Sequence, residues 1–129
     1  MSLGQGEPLR RYIENGIGVS LPEEATFIGK VVDGEVVNVA AAYNYCGYDM
    51  EIALWSTGRF HRDFLRRIGK YMFTECGCRR VTSRVREGSP MAAIMDKAGY
   101  VREGLLRAGD VTGANLLVYG ILKEEYRHG

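Results

Sequence analysis

Three stretches in the first half of the chain, Phe27 to Val32, Val36 to Tyr45 and Asp49 to Ser56, are rich in β-branched, aromatic and small apolar residues. They are too short for helices and are bounded by turn residues, so they read as strands. Asp33-Gly34 joins the first two. Both residues tolerate positive φ, which makes a tight hairpin, and the Gly47 turn leads into the third strand. From Phe60 the period changes. Phe60, Phe64, Ile68 and Met72 recur at helical spacing while Arg62, Asp63, Arg66 and Lys70 turn elsewhere, and Gly77 is placed to stop the helix. Arg80 to Arg86 alternates Val81, Ser83 and Val85 with a polar set, a strand with one polar face. Ser89 and Pro90 open a second helix as cap and first residue, and Gly99 ends it. Tyr100 to Arg107 and Leu116 to Leu122 are the last strands, and Pro8 to Asn15 a short leading helix that Gly16 ends.

The predicted order is (α)βββαβαββ. A helix between the third and fourth strands demands a parallel crossover, so the fold class is α+β with a mixed central sheet. At 129 residues the expectation is one domain, with residues 1–24 a short helix and loop and 25–129 the core. Apolar and charged fractions of 46% and 26% fit a folded, soluble protein. No apolar run reaches the length of a membrane span, and none near Met1 has the form of a signal peptide, so no membrane partner and a cytoplasmic location are expected. Cys46, Cys76 and Cys78 are an odd set that forms no disulfide framework. With only His61 and His128 to join them they give no zinc spacing, and no metal is expected.

Charge changes this picture locally. The total is +1, which argues against a nucleic-acid partner. Yet between Arg59 and Arg86 nine of the seventeen Lys and Arg residues face only two acids, Asp63 and Glu75. A helix start lined by Arg59, His61 and Arg62 suits a phosphorylated ligand, because unpaired N–H groups and the helix dipole add to side-chain charge.

Several runs taken together point further. Tyr71-Met72-Phe73-Thr74-Glu75-Cys76-Gly77-Cys78-Arg79-Arg80-Val81 resembles "YAF-x-x-LGC-x-RV". Lys97-Ala98-Gly99-Tyr100-Val101-Arg102-Glu103-Gly104-Leu105-Leu106-Arg107 resembles "K-x-GF-x-x-EG-x-LR", and Tyr119 to Glu125 resembles "Y-x-LL-x-EE". In this order they resemble the GNAT superfamily of acyl-CoA-dependent N-acyltransferases from about Phe27 to Arg127. The match is to the ribosomal-protein acetyltransferase branch and its short phage and prophage relatives. The resemblance implies a GNAT-like sheet in which the strands Asp49 to Ser56 and Val81 to Arg86 splay apart around the pantetheine arm of acetyl-CoA. It implies that backbone groups around Leu54, Trp55 and Ser56 bind that arm and polarise the thioester. The diphosphate would rest on the turn Thr57-Gly58-Arg59-Phe60-His61-Arg62. The family pattern there, Gln/Arg-x-x-Gly-x-Gly/Ala, is broken by Arg59 and His61, which stand where glycines are usual. Glu51 matches the position of a glutamate that takes a proton from the amine through water. The tyrosine that serves as general acid is replaced by Met95, leaving Tyr119 or Ser89 as donors.

The residues themselves admit other roles. Glu51 equally suits a partner for an arginine on the basic strand, and His61 suits phosphate binding better than catalysis. Tyr43, Tyr45, Tyr48 and Trp55 fit an acceptor pocket or the half-buried surface of strands. Cys46 lacks a supporting histidine, and Gly88 to Pro90 is a helix start, not a serine-nucleophile elbow. The resemblance implies an N-acetyltransferase that uses acetyl-CoA and transfers directly to a protein, peptide or small-molecule amine. A homodimer that completes the site stands open. The alternative is a GNAT-like binding or structural protein of phage type that has lost catalysis. A third reading, nucleic-acid binding, runs through Arg79, Arg80, Arg84 and Arg86.

Overall fold

Neighbouring residues of a strand point to opposite sides of a sheet, so a strand that is apolar throughout must be covered on both. The computed structural model of this chain, which describes residues 2–4 and 7–127, meets that demand at its centre. The strands are β1 (Ser2–Gly4), β2 (Thr26–Val32), β3 (Glu35–Tyr43), β4 (Asp49–Ser56), β5 (Arg80–Arg86), β6 (Val101–Leu106) and β7 (Leu116–Leu122). They form one sheet in the order β1-β2-β3-β4-β5-β7-β6. Every neighbouring pair is antiparallel except β4 and β5, which run parallel. One face is covered by α1 (Glu7–Ile17), whose Leu9 and Ile13 pack on Phe27, Val39 and Ala41. The other carries α2 (Arg62–Gly69), a π-helical turn over Lys70–Glu75, and α3 (Pro90–Lys97). Phe64, Ile68, Met72 and Met95 meet Ile28, Ala40, Ile52, Val81 and Ile121 there.

The expected order and the mixed sheet are present, with local differences. β1 has a Ser-Leu-Gly sequence that carries no strand signal, and it gains its place by pairing with β2. The leading helix runs past Gly16 to Ile17. Gly18, at φ +78°, ends it with its N–H on the Glu14 carbonyl at 2.9 Å. β3 stops at Tyr43 because Asn44 takes φ +54°, which no strand continues. Ser89 occupies the N-cap of α3, but its hydroxyl makes no capping bond, so the fixed φ of Pro90 is the local signal that acts. His128 lies outside the described residues.

The central feature is a fork. β4 and β5 pair only at Asp49↔Arg80, Met50↔Val81 and Glu51↔Thr82. Beyond that point β4 stays with β3 as far as Ser56, and β5 stays with β7 as far as Arg86. The buried Ser83 hydroxyl donates to the Ile52 carbonyl at 2.8 Å, the last bond across the fork.

Asn38 holds the chain where β4 leaves the sheet. It is fully buried; its amide donates to Ser56 Oγ at 2.8 Å and to the Arg59 carbonyl at 3.0 Å, and its Oδ1 accepts the His61 N–H at 2.9 Å. Ser56 Oγ in turn accepts the Gly58 N–H at 3.1 Å. One side chain therefore fixes both ends of the turn before α2. Asn38→Ala should strand buried partners and lower the unfolding free energy by about 3 kcal/mol in urea titration. A loss below about 0.5 kcal/mol would mean that the turn is held some other way.

Candidate functional site

Past the fork, the flanks of β4 and β5 enclose a cleft of about 500 Å³. Leu54, Trp55, Ser83 and Val85 line it from the strands, Gly16 and Ile17 from the end of α1, Ser89 and Met95 from α3, and Asp110 from the β6–β7 loop. Because those residues come from both sides of the sheet, the cleft opens toward both. The Ile52 carbonyl points at β5. The two-residue period of a strand then turns the backbone of Leu54 and Ser56 the same way, into the cleft, and that of Trp55 toward its partner Val39. Of the three expected backbone contributors, Leu54 and Ser56 therefore face the slot. Trp55 instead offers its indole on the α1 side, so close to Gly16 that a Cβ there would overlap the ring.

On the α1 side the cleft holds Glu51, Tyr43 and Arg84. Glu51 Oε1 accepts from Arg84 at 3.4 Å and from Asn44 Nδ2 at 3.2 Å, and the carboxylate side chain is 17% exposed. It is thus both an arginine partner and a cleft carboxylate. Its register partner Tyr43 has a phenol pushed up to about 12, first by burial and then by the Glu51 charge, with Arg84 opposing. Tyr43 is a neutral hydrogen-bonding group at physiological pH.

The turn between β4 and α2 is built without any left-handed residue. His61 sits at φ −77°, and neither Arg59 nor Gly58 has positive φ, so Arg59 and His61 cause no backbone strain. The amides of Gly58 and His61 are already taken by Ser56 and Asn38. Those of Arg62 and Asp63 have no partner among the described residues. Phe60 stacks on Phe64 with ring centroids 6.0 Å apart, so it packs the turn onto the helix. Arg59 and Arg62 are exposed and make no ion pair among the described residues, while Asp63 is tied to Lys30. The Lys30 hydrogen bond is the first cause that holds the Asp63 carboxyl below its usual range.

Folding divides the basic stretch in two. Arg80 pairs with Glu103 at 2.7 Å and lies 3.7 Å from Asp49; Arg84 pairs with Glu51, and Arg86 with Asp110 at 3.0 Å. The arginines of β5 are therefore neutralised locally, which takes away most of the surface expected to hold a nucleic acid. The unpaired cations gather at Arg59, Arg62, Arg66 and Lys70 on α2 and its approach.

Tyr119 is buried and does not line the cleft; its hydroxyl donates to the Ala92 carbonyl at 3.1 Å. Ser89 and Met95 do line it. Of the aromatic group, Trp55 and Tyr43 reach the cleft. Tyr45 lies at the β3–β4 loop, and Tyr48 carries the Arg79 guanidinium 5.1 Å from its ring. Asn38 escaped the sequence reading. Its one signal is a lone amide inside the apolar run Val36 to Ala42. Among the described residues, no group of His, Cys, Asp or Glu is arranged to hold a metal, and no helix is long and apolar enough to cross a membrane.

No protein-family model and no curated protein sequence matches this chain. Solved structures do. A probable acetyltransferase aligns with TM-score 0.64 at 23% identity, over 79% of this chain and 62% of its own. The spermidine/spermine N-acetyltransferase SpeG from Vibrio cholerae, in complex with manganese ions, aligns with TM-score 0.75 at 16% identity over 95% and 92%. The ribosomal-protein-S5-alanine acetyltransferase from Vibrio fischeri aligns with TM-score 0.65 at 14% identity over 80% and 64%. This chain has the GNAT acetyltransferase fold. Within the GNAT fold its parallel pair β4 and β5 is the splayed pair, and the cleft lies between them.

The Tyr43 phenol gives this cleft a pH signature. A raised folded-state value means stability present below pH 10 and lost as pH rises toward about 12. Tyr43→Phe should flatten the fall of unfolding free energy between pH 10 and 12 relative to the parent. An identical slope in the two proteins would place the phenol in water.

Proposed function

We propose that the chain is an N-acyltransferase that moves an acetyl group from acetyl-CoA directly to a primary amine. The observation that carries this reading is the fork: β4 and β5 part after three paired residues and leave a strand-shaped slot. Backbone groups of Leu54 and Ser56 face into it. A pantetheine arm, itself a chain of amides, is complementary to such a slot because it can take the hydrogen bonds a strand would have made. The diphosphate would meet the Arg62 and Asp63 amides with Arg59 and Arg62 at the start of α2.

In the transfer, the neutral amine nitrogen bonds to the thioester carbonyl carbon, the carbon–sulfur bond breaks, and coenzyme A leaves as a thiolate. The amine must first lose a proton. Glu51, with Oε2 free of partners among the described residues, is placed to accept it directly or through water. Arg84 beside it disfavours an ammonium and so favours the reactive form. Ser89, whose hydroxyl is not spent on capping, is the cleft donor nearest in kind to an acid for the thiolate. A cytoplasmic setting, where acetyl-CoA and reduced thiols coexist, belongs to this reading.

One observation favours a second reading, a binding protein on the same fold without turnover: Gly58 and His61 have given their amides to the fold, and Met95 stands where a phenol is usual. Calorimetry separates the two. Acetyl-CoA should bind, and Arg59→Ala and Arg62→Ala should each weaken it roughly tenfold, about 1.4 kcal/mol. Glu51→Gln should keep cofactor affinity and lose about a hundredfold in turnover of an amine acceptor. An unaltered protein that ignores acetyl-CoA would defeat the acyltransferase reading.

A further inference from the structure

A second recess, of about 380 Å³, lies beside the cleft at the β3–β4 end of the sheet. Tyr43, Tyr45 and Tyr71 line it, together with Asn44, Thr26 and Glu24. Ala42 and Met50 complete the lining, and no lysine or arginine contributes to it. The cleft differs, because Arg84 and Arg86 belong to its walls. Three phenol rings and a carboxylate with no competing cation form a surface of negative potential, which suits a positively charged group. The rings are held in place. Tyr45 donates its hydroxyl to the Cys76 carbonyl at 2.7 Å, although its side chain is largely exposed. Tyr71 comes from the π-helical turn, where Thr26 and Cys76 lie within hydrogen-bonding reach of its hydroxyl.

Two residues join the recess to the cleft. Tyr43 is a wall of both. Asn44, a wall of the recess, donates to Glu51 Oε1 at 3.2 Å. A molecule with two amines could therefore place one in each compartment, and the compartments treat an amine differently. Beside Glu51 the Arg84 charge discourages the ammonium form, as an attacking nitrogen requires. In the recess nothing repels the ammonium form.

We propose that this recess binds an alkylammonium group and that, on the acyltransferase reading above, the acceptor is a diamine whose non-reacting ammonium sits among Tyr43, Tyr45 and Tyr71. The bound end stays protonated and takes no part in the chemistry; it fixes the distance of the other nitrogen from the thioester.

Two measurements test this separately. In the first, protein labelled with carbon-13 at the tyrosine Cζ is titrated with tetramethylammonium chloride against sodium chloride at equal ionic strength. Saturable shifts of the Tyr45 and Tyr71 signals are expected, with affinity at least tenfold weaker in Tyr71→Leu and Tyr45→Ala. The exposed Tyr45 site makes Tyr45→Ala the safer variant to fold. Shifts that never saturate, or that survive both substitutions, overturn the recess. In the second, turnover with acetyl-CoA is compared for 1,4-diaminobutane and butylamine. A KM at least tenfold lower for the diamine is expected, and Tyr45→Ala should raise the diamine KM toward that of butylamine. Equal KM values in the unaltered protein overturn the diamine assignment while leaving acyl transfer intact. Saturable tetramethylammonium binding without turnover of either amine overturns acyl transfer and leaves the recess standing.

Discussion

Everything at the centre of this molecule follows from how two parallel strands divide their loyalties. β5 keeps its antiparallel ladder with β7 from Arg80 to Arg86, and β4 keeps its own with β3 as far as Ser56. The sheet twists, so two strands that each follow an outer partner cannot also remain together beyond Glu51 and Thr82. Ser83 bridges the first gap with its side chain, and after it the inner edges are bare. Bare backbone inside a protein must find a partner, and the slot is too narrow and too long for anything less extended than another chain. That geometric need, more than any one side chain, makes an amide-bearing linear ligand the natural occupant.

The charge pattern is a lesson in what folding does to a sequence-level excess. Arginines of β5 lie on alternate positions and so on one face, where Glu51, Glu103 and Asp110 arrive from β4, β6 and the β6–β7 loop. Each acid is remote in sequence from the arginine it meets. What remains unpaired, Arg59 and Arg62, stands at the start of α2, where the helix adds its own positive end. The chain thus keeps its available charge at the one turn where an anion would also find free amides.

Element order and the parallel crossover were legible because Asp33-Gly34, the four-residue spacing of Phe60 to Met72, and Gly99 each have a direct local cause. The family resemblance then located the fork. β1 was not legible, since Ser-Leu-Gly becomes a strand only beside β2. Asn38 was hidden for the opposite reason: its partners, Ser56, Arg59 and His61, lie eighteen or more residues away. The glycine-poor turn looked strained in sequence because it was compared with a loop that wraps a ligand in left-handed conformations. Here the turn is held by Asn38 with ordinary dihedrals, so Arg59 and His61 are tolerated. Tyr119 looked available as an acid, but strand parity sends it under α3.

The two compartments on the α1 side acquire meaning when they are considered as one surface. An enzyme that must deprotonate an amine gains from positive charge near the reacting nitrogen, yet such charge also repels the substrate on entry. Pairing Arg84 with Glu51 softens the repulsion without removing the arginine. A recess free of cations, one residue away across Tyr43, lets a second ammonium supply attraction where it does not oppose the chemistry. Separating attraction from activation in this way needs a rigid wall between the compartments, and Tyr43, half-buried at the end of β3 and paired in register with Glu51, provides it.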